Sequence, residues 1–304
     1  MLKITPLAFD SFGARSMATY LETDDVNILI DPSVALGPRR FGLPPHPLEI
    51  QREKELWRSI KEYSEKADVI IVTHYHYDHH NPKDASLYQD KMVYIKHPKQ
   101  NINRSQYNRA SYFLEKLADK PKSIEMADGK EYTFGKTTIK FSEAVFHGTN
   151  KKLGFVVEVC ITCEDKFIYT SDIEGASLDD QVNFIIEEKP KILILDGPMT
   201  YMLGYRYSKE SLDASINNII RIIKETPIET IILEHHLTRD LNYKNWIKPV
   251  YKFAENNGVK VITAAEYAGG SIEMLEAKRK ELYTTHSSIS TTHSSIRLLL
   301  VLEK

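Results

Sequence analysis

Hydrophobic and polar positions change period several times along this chain of 304 residues. Short apolar runs at 3–9, 17–21 and 26–30 predict three strands near the start. Residues 49–67 switch to helical spacing, with Ile50, Trp57, Ile60 and Tyr63 on one stripe. The continuous β-branched run at 68–72 then reads as a buried strand. A strand at 92–95 and a helix at 103–117, with Tyr112, Phe113 and Leu117 on its apolar side, follow. Asp128-Gly129 reads as a turn and nothing more. Alternation returns at 137–141 and runs on to His147-Gly148, and Glu164-Asp165 separates two further strands as a hairpin. Beyond it helices and strands alternate: helix 178–188, strand 192–195, a helix capped by Ser208, strand 230–233, a helix stopped by Asn257-Gly258, and strand 259–263. Leu212, Ile216, Ile219, Ile220 and Ile223 give the Ser208 helix a clear core-facing stripe.

The 42% hydrophobic and 27% charged content is that of an ordinary globular protein. A net charge of −2 predicts no general affinity for nucleic acid or membrane surface. No apolar run reaches spanning length and residues 1–6 lack a signal-peptide core, so the expected compartment is the cytoplasm. The two cysteines, Cys160 and Cys163, have the spacing of a redox pair or half a zinc knuckle. They fall within a predicted strand with no second pair, so they are read as buried structural cysteines of a reducing compartment. Basic residues outnumber acidic ones over 91–122, where Lys96, Lys99, Arg104 and Arg109 sit among tyrosines and amides. A solvated helix face is the commoner origin of such a run, and contact with an anionic substrate is the competing reading. Residues 284–290 recur almost unchanged as 291–297, and the expectation is one folded unit over 1–283 followed by a poorly ordered low-complexity tail over 284–304.

Chemistry concentrates directly after the strand at 68–72, in Thr73-His74-Tyr75-His76-Tyr77-Asp78-His79-His80. Five metal-capable side chains within seven positions, delivered by a buried strand, point to a metal site rather than to a histidine-rich surface loop. Imidazole with carboxylate suits zinc, with manganese or iron as alternatives. This His-x-His-x-Asp-His pattern resembles the signature of the metallo-β-lactamase superfamily. That resemblance implies an α/β fold, a four-layer αββα sandwich, with two divalent metal ions, most simply Zn, at the edge of its two sheets. It also implies further ligands in a set order. His147, Asp172 in Ser171-Asp172, and His235 in Glu234-His235-His236-Leu237-Thr238-Arg239-Asp240 stand where the family places them.

On that footing His74, His76 and His147 hold one metal, Asp78, His79 and His235 hold the other, and Asp172 bridges them. Asp31, in Asp31-Pro32, takes a supporting role, hydrogen-bonding near the ligands. His235 is preferred over His236 because neighbours in an extended segment face opposite sides, and because Arg239 then falls at the related nucleases' ligand-to-arginine interval. Catalytic roles fall to Asp78, itself a ligand, and to His236 as proton donor to the leaving group. Arg39, Arg40 and His46 lie in a proline-rich loop that would sit near the site's mouth, and with Arg239 they are the expected substrate contacts.

The implied reaction is hydrolysis by a metal-bridging hydroxide. Features of the transfer-RNA-processing nuclease and sugar-phosphate lactonase branches are both present, and the overall pattern is closest to a largely archaeal group. The expected substrate is a phosphoester, either RNA or a small phosphorylated molecule. The alternatives are a lactone or thioester hydrolase, and a non-hydrolytic metal protein, di-iron redox or regulatory. A homo-oligomer is compatible with the sequence.

Overall fold

The computed structural model describes residues 2–285. The chain forms two large mixed sheets. The first runs β1 (Lys3–Phe9), β2 (Met17–Glu22), β3 (Asn27–Ile30), β4 (Val69–Val72), β5 (Met92–Ile95), β6 (Ser123–Met126) in spatial order. Its first three strands pair antiparallel, and β3 to β6 pair parallel. The turn at Asp128-Gly129 is where the chain leaves this sheet for β7 (Glu131–Phe134) and β8 (Thr137–Phe141) of the second. Neither β6 nor β7 was expected from the sequence, because their residues are only half-buried or exposed and show a weak period.

A small ladder, β9 (Val145–Phe146) with β10 (Phe155–Val156), comes next, followed by β11 (Val159–Thr162), β12 (Lys166–Tyr169), β13 (Ile192–Asp196), β14 (Thr230–Glu234) and β15 (Lys260–Ile262). In the second sheet β12 to β15 are parallel, and β11, β8 and β7 continue it antiparallel. Side chains from the inner faces of both sheets, among them Met17, Ile28, Ile71, Phe141, Val159 and Ile194, share one core. The outer face of the first sheet is covered by α1 (Pro47–Lys66) and α2 (Arg104–Leu117), through Leu56, Ile60, Ala110 and Phe113. Helices α3 (Asp179–Glu188), α4 (Lys209–Glu225), α5 (Tyr243–Trp246) and α6 (Lys248–Asn256) cover the second, through Val182, Ile185, Ile219, Tyr243 and Val250. The architecture is the αββα sandwich. Period-2 strands each bury one face against the opposite sheet and the other under a helix, which is why so many read as continuous apolar runs.

One expectation needs correction. Cys160 is buried in β11, but Cys163 lies beyond the end of that strand and is only half-buried. The duplicated tail lies outside the described residues from 286 on, and Thr284 and Thr285 continue a helix over 279–285. That helix is tied to the body by fully buried Arg279, whose guanidinium donates to both oxygens of Glu49 at 2.8 and 2.6 Å.

Glu158, between β10 and β11, is fully buried, and neither carboxyl oxygen has a hydrogen-bond partner among the described residues. Burial, reinforced by nearby Asp180, pushes its carboxyl well above the ordinary value. A carboxyl raised on folding contributes stability that is complete below its unfolded pKa, 4.5, and declines by about 1.4 kcal/mol per pH unit above it. Glu158→Gln is therefore expected to raise the melting temperature by a few degrees at pH 7 and to change it little at pH 4. Equal effects at both pH values in a thermal scan would show that Glu158 is ionised in the fold.

Candidate metal centre

The parallel halves of both sheets end on the same side, and their carboxyl ends carry the chemistry. Asp31 follows β3, the histidine motif follows β4, Ser171-Asp172 follow β12, Asp196 ends β13, and Glu234-His235-His236 straddle the end of β14. At three of these ends a non-glycine residue adopts positive φ: Asp31 at 49°, Ser171 at 59° and His235 at 58°. Such conformations cost about 1–3 kcal/mol each and persist where the surroundings over-determine them. Here they turn the chain sharply enough to aim side chains into the space between the two sheets.

Four groups of possible ligand atoms converge, each group with its atoms within 4.8 Å of one another: His74, His76, His147 and Asp172; Asp78, His79 and His235; Asp31, His74 and His79; Asp172, His235 and His236. Asp172 stands between the first two. Its Oδ2 lies 3.1 Å from His147 Nε2, 3.4 Å from His235 Nε2 and 3.6 Å from His74 Nε2, and its Oδ1 lies 2.9 Å from His79 Nε2. His74 Nε2, His79 Nε2 and Asp172 Oδ1 are buried and, although the last two lie 2.9 Å apart, none of the three makes a well-aligned hydrogen bond among the described residues. A polar atom in that state costs free energy unless something satisfies it, and imidazole and carboxylate atoms pointing at one spot are what a divalent cation satisfies. The donor set fits bound metal.

The Nδ1 edges of His74, His79, His235 and His236 are held by the protein, which favours the tautomer with an unprotonated Nε2; at His235 that nitrogen faces Arg239 Nη2 at 2.9 Å. Asp31 Oδ2 lies 2.8 Å from His79 Nδ1, and that carboxylate also accepts from the Thr73 amide and hydroxyl and the Tyr169 hydroxyl. Asp10 Oδ2 lies 2.7 Å from His235 Nδ1, Asp196 lies 2.9 Å from His236 Nδ1, and Ser171 Oγ lies 3.1 Å from His74 Nδ1. Glu174 Oε1 lies 3.7 Å from His147 Nδ1, too far for a hydrogen bond. Gly148, at φ +73°, permits even this approach, because a Cβ there would stand 2.2 Å from the Glu174 carboxylate.

Electrostatics divide the imidazoles. Burial and the surrounding histidines keep His74 and His76 well below the ordinary value, so both are neutral and free to ligate. Burial also disfavours charge on His235, but Asp172 and Asp10 outweigh it and push that imidazole up to about 10. Asp10 in turn would be raised by burial, yet Arg239 and His235 hold it down to about 2. Where carboxylates hold a proton this strongly, a divalent cation can take the proton's place.

A cavity of about 430 Å³ opens over the cluster, lined by His76, Asp78, His147, Asp172, His236 and Arg239, with Arg15, Arg109 and Arg206 and the rings of Tyr77 and Tyr201. Of the expected substrate contacts, Arg239 is buried at this wall with its Nε 2.7 Å from Asp10 Oδ1. Arg40 is set back, donating to the Arg239 carbonyl at 3.1 Å and lying over the Tyr201 ring. Arg39 is exposed and outside the lining. His46 is a correction: it is buried as the N-cap of α1, its Nδ1 accepting from the Leu48 amide at 3.3 Å. Proline at the first helical position makes the preceding residue a cap, and the imidazole is consumed there.

The premise behind the His235 assignment also changes. The segment is not extended at that point. With φ of 58° at His235 and a helical His236, both rings face the cluster with centroids 4.7 Å apart. Fully buried Glu234 accepts from the amides of Ala264 and His235 and from the Thr238 hydroxyl.

Asp10, Glu174, Asp196, Arg15 and Arg206 were not anticipated. Asp10 and Asp196 carry a usable signal, since each is an acidic residue at a strand's end like Asp31. Glu174, Arg15 and Arg206 lie in irregular segments and carry none. From the basic 91–122 segment only Arg109 lines the cavity; Lys96 is buried against Asp128 at 2.5 Å, and Arg104 is not in the lining. No helix among the described residues is long and apolar enough to cross a membrane.

No family model matches the chain. Among solved structures, it resembles a possible metal-dependent hydrolase from Veillonella parvula (TM-score 0.51, 15% identity, 86% of this chain and 95% of that one). It also resembles isothiocyanate hydrolase from Delia radicum gut bacteria (TM-score 0.52, 18% identity, 86% and 95%). A third likeness is to unliganded yeast PDE1 (TM-score 0.53, 11% identity, 90% and 98%). These likenesses show the metallo-β-lactamase fold. In sequence it is 55% identical over 284 residues to a UPF0282 protein of Korarchaeum cryptofilum, covering 93% of this chain and 94% of the relative. A UPF0282 protein of Sulfurisphaera tokodaii is 50% identical over 287 residues, 93% of each chain. With relatives this similar along nearly its whole length, the chain belongs to the UPF0282 family, a largely archaeal group with the metallo-β-lactamase fold.

Proposed function

We propose that the protein is a metal-dependent hydrolase of phosphoesters, with two divalent ions, zinc by the chemistry of the donors, held at the convergence of the two sheets. The observation that carries this reading is the position of Asp172 between two imidazole-carboxylate groups, with His74 Nε2, His79 Nε2 and Asp172 Oδ1 buried and making no hydrogen bond among the described residues. His74, His76 and His147 would hold one ion, Asp78, His79 and His235 the other, and Asp172 both. Bound there, the ions supply acidified water as nucleophile and neutralise charge gathering on the attacked group.

The remaining roles belong to the chain. Asp31 and Asp10 fix the orientation of His79 and His235. His236 presents its second ring nitrogen to the cavity while Asp196 holds the first, a dyad suited to delivering a proton to the leaving oxygen. Arg109 and Arg206, with Arg239 deeper in the wall, favour an anionic substrate, which is why a phosphoester is preferred over a lactone or thioester.

Metal analysis of protein purified without added metal, followed by a screen of phosphodiesters, phosphomonoesters, lactones and thioesters, tests the reading. Retained zinc with phosphodiester or phosphomonoester turnover is the expected result. Turnover confined to lactones or thioesters would overturn the substrate class, and metal-free protein at full activity the mechanism. Within a phosphoester assay, Arg109→Ala is expected to raise KM about tenfold, the scale of one charge-assisted contact. Arg104→Ala, outside the lining, is expected to leave KM unchanged.

A further inference from the structure

The cavity continues past the metal cluster. A side cleft of about 210 Å³ lies between the 147–153 and 199–206 turns and shares His147, Glu174 and Arg206 with the main cavity. Both turns are tied down by hydrogen bonds to their backbone. His147 N donates to Gly154 O at 3.0 Å, Asn103 Nδ2 to Lys152 O at 2.8 Å, and Arg206 N to Met202 O at 3.0 Å.

The cations here differ from those deeper in the site. Arg15 is neutralised by Glu276 at 2.6 Å and Arg239 by Asp10 at 2.7 Å. The guanidinium of Arg206 and the ammonium of Lys152 meet no carboxylate or other side-chain partner among the described residues. A lone exposed cation is ordinarily just solvated. Two that approach one cleft from different turns, beside the 83% exposed ring of Tyr205, form a positive recess with a flat apolar wall. The one acidic lining group, Glu174, sits at the junction and faces His147, on the metal side.

We propose that this cleft is a subsite for a second phosphate of the substrate, displaced by about a sugar unit from the phosphate attacked at the metal cluster. It rests on the phosphoester reading and narrows it. The favoured substrates carry two phosphates, as a nucleoside bisphosphate or a stretch of RNA does, and singly phosphorylated molecules leave the cleft unused. Arg206 supplies a planar fork and Lys152 a point charge to the distal phosphate, and Tyr205 offers its face to the ring joining the two groups.

The test is calorimetric titration of the metal-loaded full chain with adenosine 5′-monophosphate and adenosine 3′,5′-bisphosphate, in the parent and in a Lys152→Ala/Arg206→Ala double variant. The parent is expected to bind the bisphosphate about tenfold or more tightly than the monophosphate. The double variant is expected to lose that preference while keeping its metal content. Equal binding of both probes by the parent, or a preference that survives in the variant, overturns the subsite and leaves the phosphoester reading standing. If neither probe binds the parent, the phosphoester reading fails and the subsite falls with it.

Discussion

Asp172→Ala is expected to lose most of the bound metal and to lower hydrolysis by about a thousandfold or more, with the fold retained. Its side chain is within reach of four histidines drawn from both candidate ligand groups, so its removal takes a negative charge from both positions at once. Loss of a residue that merely supports a ligand typically costs roughly 10–100-fold in metal affinity. A carboxylate shared by two cations should exceed that. Catalytic loss compounds it, because removing even one preorganised electrostatic contact commonly costs about 10²–10³ in rate. The fold should survive, because the contacts of the Asp172 carboxylate are to other members of the polar cluster and not to the apolar core between the sheets. Metal content by mass spectrometry, far-ultraviolet circular dichroism and turnover are the readouts. Unchanged metal and activity would end the two-ion assignment.

His235→Ala and His236→Ala are expected to fail in different ways. Both imidazoles face the cluster and both have a carboxylate on Nδ1, so neither feature separates them. Depth does. His235 is fully buried with Nε2 between Asp172 at 3.4 Å and Asp78 at 3.7 Å, whereas His236 keeps 6% exposure and lines the cavity. His235→Ala should therefore lose tenfold or more in affinity for one metal ion. His236→Ala should keep its metal and lose roughly 10²–10⁴ in kcat, the range of general acid-base catalysis. A leaving group that needs no proton, such as p-nitrophenolate, should largely rescue His236→Ala and not His235→Ala. Metal loss in the His236 variant alone would reverse the two roles.

The helices, most strands and the histidine motif are visible in the one-dimensional pattern because each depends on residues close together in the chain. The helix at 104–117 and the strand at 92–95 follow from apolar periodicity within a few turns or residues, and His74, His76, Asp78 and His79 share one short segment. His147, Asp172 and His235 could be placed through family resemblance, since their order along the chain is what a resemblance preserves. The rest was set by how strand ends meet. Asp10 reaches His235 across 225 positions and Arg239 across 229, a contact no local period encodes. His46, beside three prolines and near two arginines, looked like part of the site's mouth, and the capping requirement of α1 took it. The turn at His235 likewise put neighbouring rings on one side, against the alternation an extended strand would impose. Short-range propensity determines which segments become strands and helices, but the order of strands in each sheet and the stacking of the two sheets determine which polar ends share one small space. Tertiary packing therefore decided the second ring of carboxylates and the arginines around the cavity.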